Sequence, residues 1–283
     1  MTLSATRTDK LIESTGKMLF LSVLLFLVSS CASLSSSGVG RVKEYTVAGE
    51  NVPPAFDGYR MAFVSDLHYP SLFSSERLSK MVSSLKQINP DVLFLGGDYV
   101  TDNDSIDALF SLLSTVQPSD GIYAVLGNHE RRNSSLISSS MKRNGIVLLY
   151  DDILELCHGG DTLFVVGVGD SFAVDTLAPG LDTQLATESF VVMLAHTPDY
   201  AERTQTTADL VLSGHTHGGQ VSLFGFYTPV KNTMYGTRFL RGRNTTSSGA
   251  TVVTTNGVGT SRKKIRFLVP SEIVVITLKC VRL

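Results

Sequence analysis

The sequence predicts a mixed α/β fold in which two packed sheets carry helices on their outer faces. Five short runs rich in Val, Leu, Ile, Phe and Ala are typical of strands that are buried on both faces. Helical patterns lie between several of these runs, and this alternation indicates βαβ units. After residue 217, short strand-like segments alternate with glycine-containing loops, which indicates antiparallel strands added to a parallel beginning.

The five apolar runs give the predicted strands of the parallel part. They cover residues 60–64, 91–95, 121–126, 190–195 and 209–212. Candidate strands also cover residues 45–47 at the start of the domain and residues 251–255 and 272–278 near its end. With 283 residues, 43% of them hydrophobic, the chain is long enough for one large domain with a sizeable core.

Three segments between the strands have apolar residues every three or four positions, as on one face of a helix. The first follows Ser74 or Ser75, either of which can cap it, and ends before Pro90. The second covers residues 106–116. A weaker third covers residues 136–141, with Gly145 placed at its C-terminal end.

The N-terminal segment predicts export. Basic residues precede an apolar run at residues 18–28, which is too short for a membrane span of roughly 20 residues. A basic start before a short apolar stretch is typical of a secretory signal. The run ends in Val28-Ser29-Ser30-Cys31, which resembles a bacterial lipobox. We expect a signal peptide at residues 1–30 and lipidation of Cys31, with a signal-anchor helix running to about Leu34 as the alternative.

The residues after Cys31 predict a flexible tether before the folded domain. Residues 32–40 are rich in Ser and Gly, so we place the tether at residues 31–44 and the domain at residues 45–283. A lipid on Cys31 leaves Cys157 and Cys280, which we expect to be buried thiols rather than a disulfide. The net charge of −2 gives no reason to expect a nucleic-acid partner.

Side chains that can bind metals follow the five predicted strands. They are Asp66, His68, Asp98, Asn128, His129, His196, His215 and His217, so that only His158 among the six histidines is left over. Ligands of open α/β sheets sit outside the carboxyl ends of the strands, so we expect these side chains to form one site. They are too many for one tetrahedral ion, which favours two ions about 3.5–4 Å apart that share a carboxylate. The mixture of carboxylate, imidazole and carboxamide suits Mn, Fe, Zn or Co rather than Ca.

In chain order, these residues resemble the motifs of calcineurin-like metallophosphoesterases. The matching segments are Asp66-Leu67-His68, Gly97-Asp98, Gly127-Asn128-His129-Glu130, Ala195-His196 and Gly214-His215-Thr216-His217. The resemblance implies a four-layer α/β/β/α sandwich with two mixed sheets and a metal-dependent hydrolase of phosphoric esters. Glu130 stands where that family more often has Asp.

The resemblance also implies a role for each residue. One metal would be held by Asp66, His68, Asp98 and His217, and the second by Asp98, Asn128, His196 and His215. Asp98 would therefore bridge the two ions, and a hydroxide between them would attack phosphorus in line. His129 would be a catalytic residue that binds no metal and donates a hydrogen bond or proton to the phosphate or leaving oxygen.

Further segments are similar to the YkuE/YaeI-type branch of this family. They are His196-Thr197-Pro198-Asp199, His217-Gly218-Gly219-Gln220 and residues 257–272. The branch includes membrane-associated phosphodiesterases and a lipid A pathway pyrophosphatase that cleaves UDP-2,3-diacylglucosamine. We expect a phosphodiesterase with a lipid or membrane-associated substrate. The alternatives are the pyrophosphatase, whose cytoplasmic substrate conflicts with export, and a non-enzymatic surface lipoprotein that retains the fold.

A basic cluster near the C-terminus has two interpretations. Its members are Arg238, Arg241, Arg243, Arg262, Lys263, Lys264 and Arg266. The simpler interpretation is a solvated face. The alternative is a patch beside the site that meets lipid headgroups or substrate phosphate, with Arg266 as the candidate substrate-binding residue. Together with Cys31, these features predict a protein anchored by lipid to the cell membrane with its domain outside the cytoplasm. They leave the oligomeric state open.

Overall fold

The computed structural model describes residues 17–18, 39–169, 171–172, 185, 188–223 and 227–281. The chain forms two compact units, Met1–Leu34 and Ser35–Leu283. Only Lys17 and Met18 of the first unit are described, so the rest of the expected signal peptide, Cys31 and residues 32–38 of the expected tether lie outside the described residues. Within the described part of the chain, no helix has the length and apolar character that a membrane span requires.

Two six-stranded sheets form the centre of the second unit. The first has the order β1 (Arg41–Gly49), β12 (Glu272–Cys280), β2 (Arg60–Val64), β3 (Val92–Leu95), β4 (Ile122–Ala124) and β5 (Ile146–Leu148). The second has the order β10 (Gly242–Thr245), β11 (Thr251–Thr254), β9 (Leu210–Ser213), β8 (Val191–Leu194), β7 (Asp161–Gly167) and β6 (Asp152–His158). The five strands predicted from apolar runs are present as β2, β3, β4, β8 and β9.

Both sheets are mixed. In the first, β2, β3, β4 and β5 are parallel, and β12 is antiparallel to β2 but parallel to β1. In the second, β7, β8, β9 and β11 are parallel, with β6 and β10 antiparallel at the two edges. The expectation of antiparallel strands added after residue 217 is therefore only partly right. The late strands divide between the sheets: β12 lies in the first sheet, and β10 and β11 lie in the second.

The predicted helices cover one face of the first sheet. They are α1 (Ser75–Ile88), α2 (Ile106–Ser114) and α3 (Ser134–Arg143), and a short helix α4 (Asp199–Thr204) follows β8. The side chain of Ser74 accepts a hydrogen bond from the Arg77 amide, which satisfies one of the free N–H groups at the start of α1. Gly145 follows α3 with a φ of 69°, a conformation that favours glycine.

Alternating side chains along the strands build the layers. Ala62 and Val64 of β2 pack in one cluster with residues of α1, α2 and α3, whereas Met61 and Phe63 pack against the second sheet. On the outer face of the second sheet, Met193 packs with Tyr200 of α4 and with Phe239. These clusters give the α/β/β/α order of layers and confirm the predicted sandwich.

Two predictions change, one of a boundary and one of cysteine burial. The opening strand begins at Arg41 rather than Tyr45, since β1 pairs with β12 from Arg41 onwards, so the last residues assigned to the tether belong to a sheet. Cys157 and Cys280 are free, as expected, but they are not buried: Cys157 is exposed and Cys280 is partly exposed. Cys157 lies on β6, an edge strand of the second sheet, and Cys280 is the last residue of β12. Neither position is fully covered by neighbouring residues.

Candidate active site

The carboxyl ends of strands from both sheets meet at one site. Asp66 and His68 follow β2, Asp98 follows β3, and His215 and His217 follow β9. All five have a positive φ, between 50° and 66°, so the chain turns sharply as it leaves each strand. Left-handed backbone at non-glycine residues is uncommon and clusters at functional sites.

Close backbone packing at the site requires glycine. A Cβ atom at Gly127 would collide with the carboxylate and the backbone nitrogen of Asp98. Gly97 has a φ of 96°, and a Cβ there would lie 2.5 Å from the Gly127 nitrogen. The loops after β3 and β4 can therefore approach each other only because these two positions lack side chains.

The first group of ligand atoms comes from Asp66, His68 and His217. One atom from each lies within 4.8 Å of the others. Nε2 of His217 is 3.5 Å from Oδ1 of Asp66 and 3.2 Å from Nε2 of His68. The Asp66 carboxylate also accepts hydrogen bonds from the His215 amide, which fixes its orientation.

The second group comes from Asp98, His196 and His215, again within 4.8 Å. Nε2 of His196 is 3.4 Å from Oδ2 of Asp98. The same Asp98 oxygen lies 3.6 Å from Nε2 of His68 and 3.9 Å from Nε2 of His129. Asp98 thus stands between the two groups, within reach of histidines from both.

Burial controls the charge states of the site. Loss of hydration raises the pKa of Asp66 to about 6 and lowers the pKa of His68 to about 4 and of His215 to about 3. Burial alone would raise the pKa of Asp98, but His196 and the other nearby histidines hold it well below its usual range. Against its burial, the charge of Asp98 raises the pKa of His196 to about 10.

Two buried atoms show that the arrangement suits cations. Nδ1 of His196 donates to the Gly96 carbonyl oxygen at 2.6 Å, so its Nε2 is the nitrogen that faces Asp98. Neither this Nε2 nor Oδ1 of Asn128 has a hydrogen-bond partner among the described residues. Buried polar atoms are normally paired, so these two atoms and the adjoining carboxylates fit divalent metal ions.

The sequence comparisons agree with this geometry. The model of a protein family described as Calcineurin-like phosphoesterase matches residues 59–219 of this chain. The chain belongs to this family. Membership makes it a hydrolase of phosphoric esters.

Relatives of the expected branch are also similar to this chain. A metallophosphoesterase named YkuE from Bacillus subtilis is 29% identical over 83% of this chain and 84% of its own length. The phosphodiesterase YaeI from Escherichia coli is 31% identical over 71% of this chain and 75% of its own length. Among solved structures, a dimetal phosphatase from Danio rerio is 13% identical with a TM-score of 0.44, over 71% of this chain and 88% of that chain.

Glu130 supports the site in a way that the sequence did not reveal. Its buried carboxylate accepts hydrogen bonds from the amides of Asp98 and Gly127, both at 2.8 Å, and of Tyr99 at 2.9 Å. It therefore ties the loop after β3 to the loop after β4. One signal is present in the sequence, an acidic residue directly after Asn128-His129, but the backbone amides that it binds are not apparent there.

Glu130→Ala should lower the free energy of unfolding by about 3 kcal/mol or more, because each buried N–H left unpaired costs about 1–3 kcal/mol. Urea denaturation measures this change. Glu50→Ala is the matched control, since Glu50 is exposed on the surface. Equal denaturation midpoints for the two variants would show that the Glu130 carboxylate does not hold the loops together.

Arg266 has a different environment from the one expected of a phosphate ligand. Its guanidinium donates to main-chain carbonyls of five residues. They are His217, Asn256, Gly257, Gly259 and Val269. Direct binding of phosphate by Arg266 stays a prediction, and it would require breaking one of these hydrogen bonds. The structure shows a different role: Arg266 donates a hydrogen bond to the His217 carbonyl and so stabilises the loop that carries His217.

Arg266→Lys should lower the free energy of unfolding by about 1–3 kcal/mol, because a lysine has three donors for five carbonyls and leaves some unpaired. Thermal or urea denaturation measures the loss, with the exposed Arg262→Lys as the control. An increase in KM for a small diester without any loss of stability would instead favour direct contact between Arg266 and substrate.

Proposed function

We propose that this protein is a two-metal phosphodiesterase that acts at a membrane surface. The observation that supports this most strongly is the position of Asp98, which belongs to two of the three Asp/His groups that could hold a metal among the described residues and lies 3.6 Å from His68 of the third. In this proposal Asp66, His68, Asp98 and His217 hold one divalent ion, and Asp98, Asn128, His196 and His215 hold the other. Two ions bound there would neutralise phosphate charge and make an attacking oxygen available near neutral pH.

Asp98 and His129 have different roles in the proposed reaction. Asp98 supplies a carboxylate to both groups and is oriented by the His129 amide, which donates to its Oδ1 at 3.1 Å. The His129 side chain is half exposed, so a substrate phosphate can reach its ring. Water that has lost a proton to solvent would attack as hydroxide: as its oxygen bonds to phosphorus and the bond to the leaving oxygen breaks, Nε2 of His129 would donate a proton to that leaving oxygen.

A diester is the proposed substrate class because a relative at 31% identity is named a phosphodiesterase. The test is hydrolysis by the full-length protein after incubation with Mn, Fe, Zn or Co. We expect faster turnover of bis-nitrophenyl phosphate than of nitrophenyl phosphate. Faster turnover of the monoester would contradict the proposed class, and preferential cleavage of UDP-2,3-diacylglucosamine would support the pyrophosphatase alternative.

Attachment to the membrane is proposed from the sequence of the N-terminal segment. The Val28-Ser29-Ser30-Cys31 segment supports lipidation of Cys31, and the preceding basic and apolar residues support export. The domain would then lie outside the cytoplasm, beside lipid or lipid-linked phosphate esters.

Cys31→Ser should abolish acylation and leave uncleaved or unanchored protein. Mass spectrometry of the N-terminal peptide from membrane fractions measures this directly, and Cys157→Ser is the control because it leaves the lipobox intact. An unmodified Cys31 behind an intact N-terminus in membrane-bound wild-type protein would favour the signal-anchor alternative.

A further inference from the structure

One face of the domain combines exposed apolar side chains with a cavity. Leu223, Tyr227, Val230 and Ile265 are 45–60% exposed, which is unusual for large apolar residues that lie close together. Val230 and Ile265 line one cavity of about 260 Å³ together with Val221 and Pro229. We call this surface, with the cavity and Leu223 and Tyr227, the apolar face.

Backbone pairing makes the apolar face continuous. Val221 pairs with Phe267, and Leu223 pairs with Tyr227 on the same segment. The Gln220 side chain donates to the Ile265 carbonyl at 3.2 Å, and the Ser222 amide donates to the Phe267 carbonyl at 3.0 Å. The apolar side chains therefore stand on two segments that are held together rather than on independent loops.

The chain segment that carries the apolar face has a positive net charge. Residues 210–271 contain no Asp or Glu, although they contain eight basic residues. The eight are Lys231, Arg238, Arg241, Arg243, Arg262, Lys263, Lys264 and Arg266. Since the whole chain has a net charge of −2, this positive segment is a local feature and not a general excess of basic residues.

The eight cations differ in their partners. Arg238 pairs with Glu202 at 3.0 Å, Arg241 donates to Gly218 and Ser222, and the other two bound arginines donate to main-chain carbonyls. The four that remain are exposed and have no carboxylate partner within the described part of the chain. They are Lys231, Arg262, Lys263 and Lys264. Arg262 and Lys263 also line the cavity of the apolar face.

We propose that the apolar face, with these four cations, docks on the surface of a bilayer that contains anionic lipids. Apolar side chains beside lysines and arginines are the combination that enters the boundary between headgroups and acyl chains. The cations favour an anionic bilayer over a neutral one, because a neutral bilayer gives them no electrostatic attraction. His217 also lines the cavity, so docking brings the proposed metal centre next to the headgroups.

The absence of tryptophan from this chain gives a direct test. In full-length Ile265→Trp, fluorescence should shift to shorter wavelength and be quenched roughly twofold by vesicles of brominated anionic lipid, because the side chain reaches the acyl boundary. Val147→Trp is the matched control. Val147 is a β-branched apolar residue that is 48% exposed, similar to Ile265 at 55%, but it lies on β5 and not on the apolar face. Val147→Trp should show neither change.

Charge variants complete the test. Lys263→Glu with Lys264→Glu should remove the quenching of Ile265→Trp, whereas Lys86→Glu with Lys142→Glu, at exposed positions on α1 and α3, should not. Equal quenching at positions 265 and 147, equal quenching by neutral vesicles, or no quenching would overturn the proposal. A shift of Ile265→Trp fluorescence that depends on protein concentration without lipid would assign the face to a second copy of the chain. The measurement needs no turnover, so its outcome is independent of the proposed phosphodiesterase activity.

Discussion

Asp98→Asn should abolish phosphodiester hydrolysis and release at least one of the two metal ions. The Asp98 carboxylate lies within 3.4–3.9 Å of three histidine side chains, and no other carboxylate reaches both groups of ligand atoms among the described residues. An amide cannot carry the negative charge that a bridging ligand contributes. Turnover of bis-nitrophenyl phosphate and elemental analysis of the same preparation measure the two effects.

Asp104→Asn is the control for this experiment. Asp104 is exposed in the loop before α2, so the same chemical change there should leave metal content and turnover unchanged. Two tightly bound metal ions in Asp98→Asn would show that Asp98 does not bridge them. Normal folding of the variant should be verified by circular dichroism, so that loss of metal is not confused with loss of structure.

His129→Ala should retain its metal ions while kcat falls by roughly 10²–10⁴, the usual contribution of a positioned general acid. The His129 side chain is about half exposed, whereas the proposed ligands His68, His196 and His217 are buried. The variant keeps the backbone N–H that binds Asp98. Metal content and single-substrate kinetics are the measurements.

Dependence on the leaving group separates proton donation from other roles of His129. A good leaving group such as nitrophenolate needs little protonation, so the loss of kcat should be smaller for nitrophenyl esters than for alkyl esters. His158→Gln is the control, because His158 pairs with Asp120 through its Nε2 at 2.6 Å and lies outside the site. Loss of metal in His129→Ala would make His129 a ligand.

The positions of the site residues could be anticipated because they follow strands. The apolar runs before Asp66, Asp98 and His215 identify β2, β3 and β9, and the carboxyl ends of parallel strands meet at one edge. Local sequence therefore carries enough information to bring these side chains together. Their individual roles as metal ligands stay predictions.

Other features depend on contacts between distant parts of the chain. β12 inserts between β1 and β2, which no local pattern of residues 272–280 indicates. The sequence places Glu130 in a motif and Arg266 in a basic cluster, but it does not show that each is directed to backbone groups of other loops. The exposure of Cys157 likewise follows from the outer position of β6 in its sheet, which residue type does not reveal.

The most direct test of the two-metal site is anomalous scattering from crystals of the full-length protein grown with Mn²⁺. The account predicts two peaks about 3.5–4 Å apart, the spacing of two-metal sites, on either side of Asp98. One should lie among Asp66, His68 and His217, and the other among Asn128, His196 and His215. A single peak, or peaks away from Asp98, would contradict it.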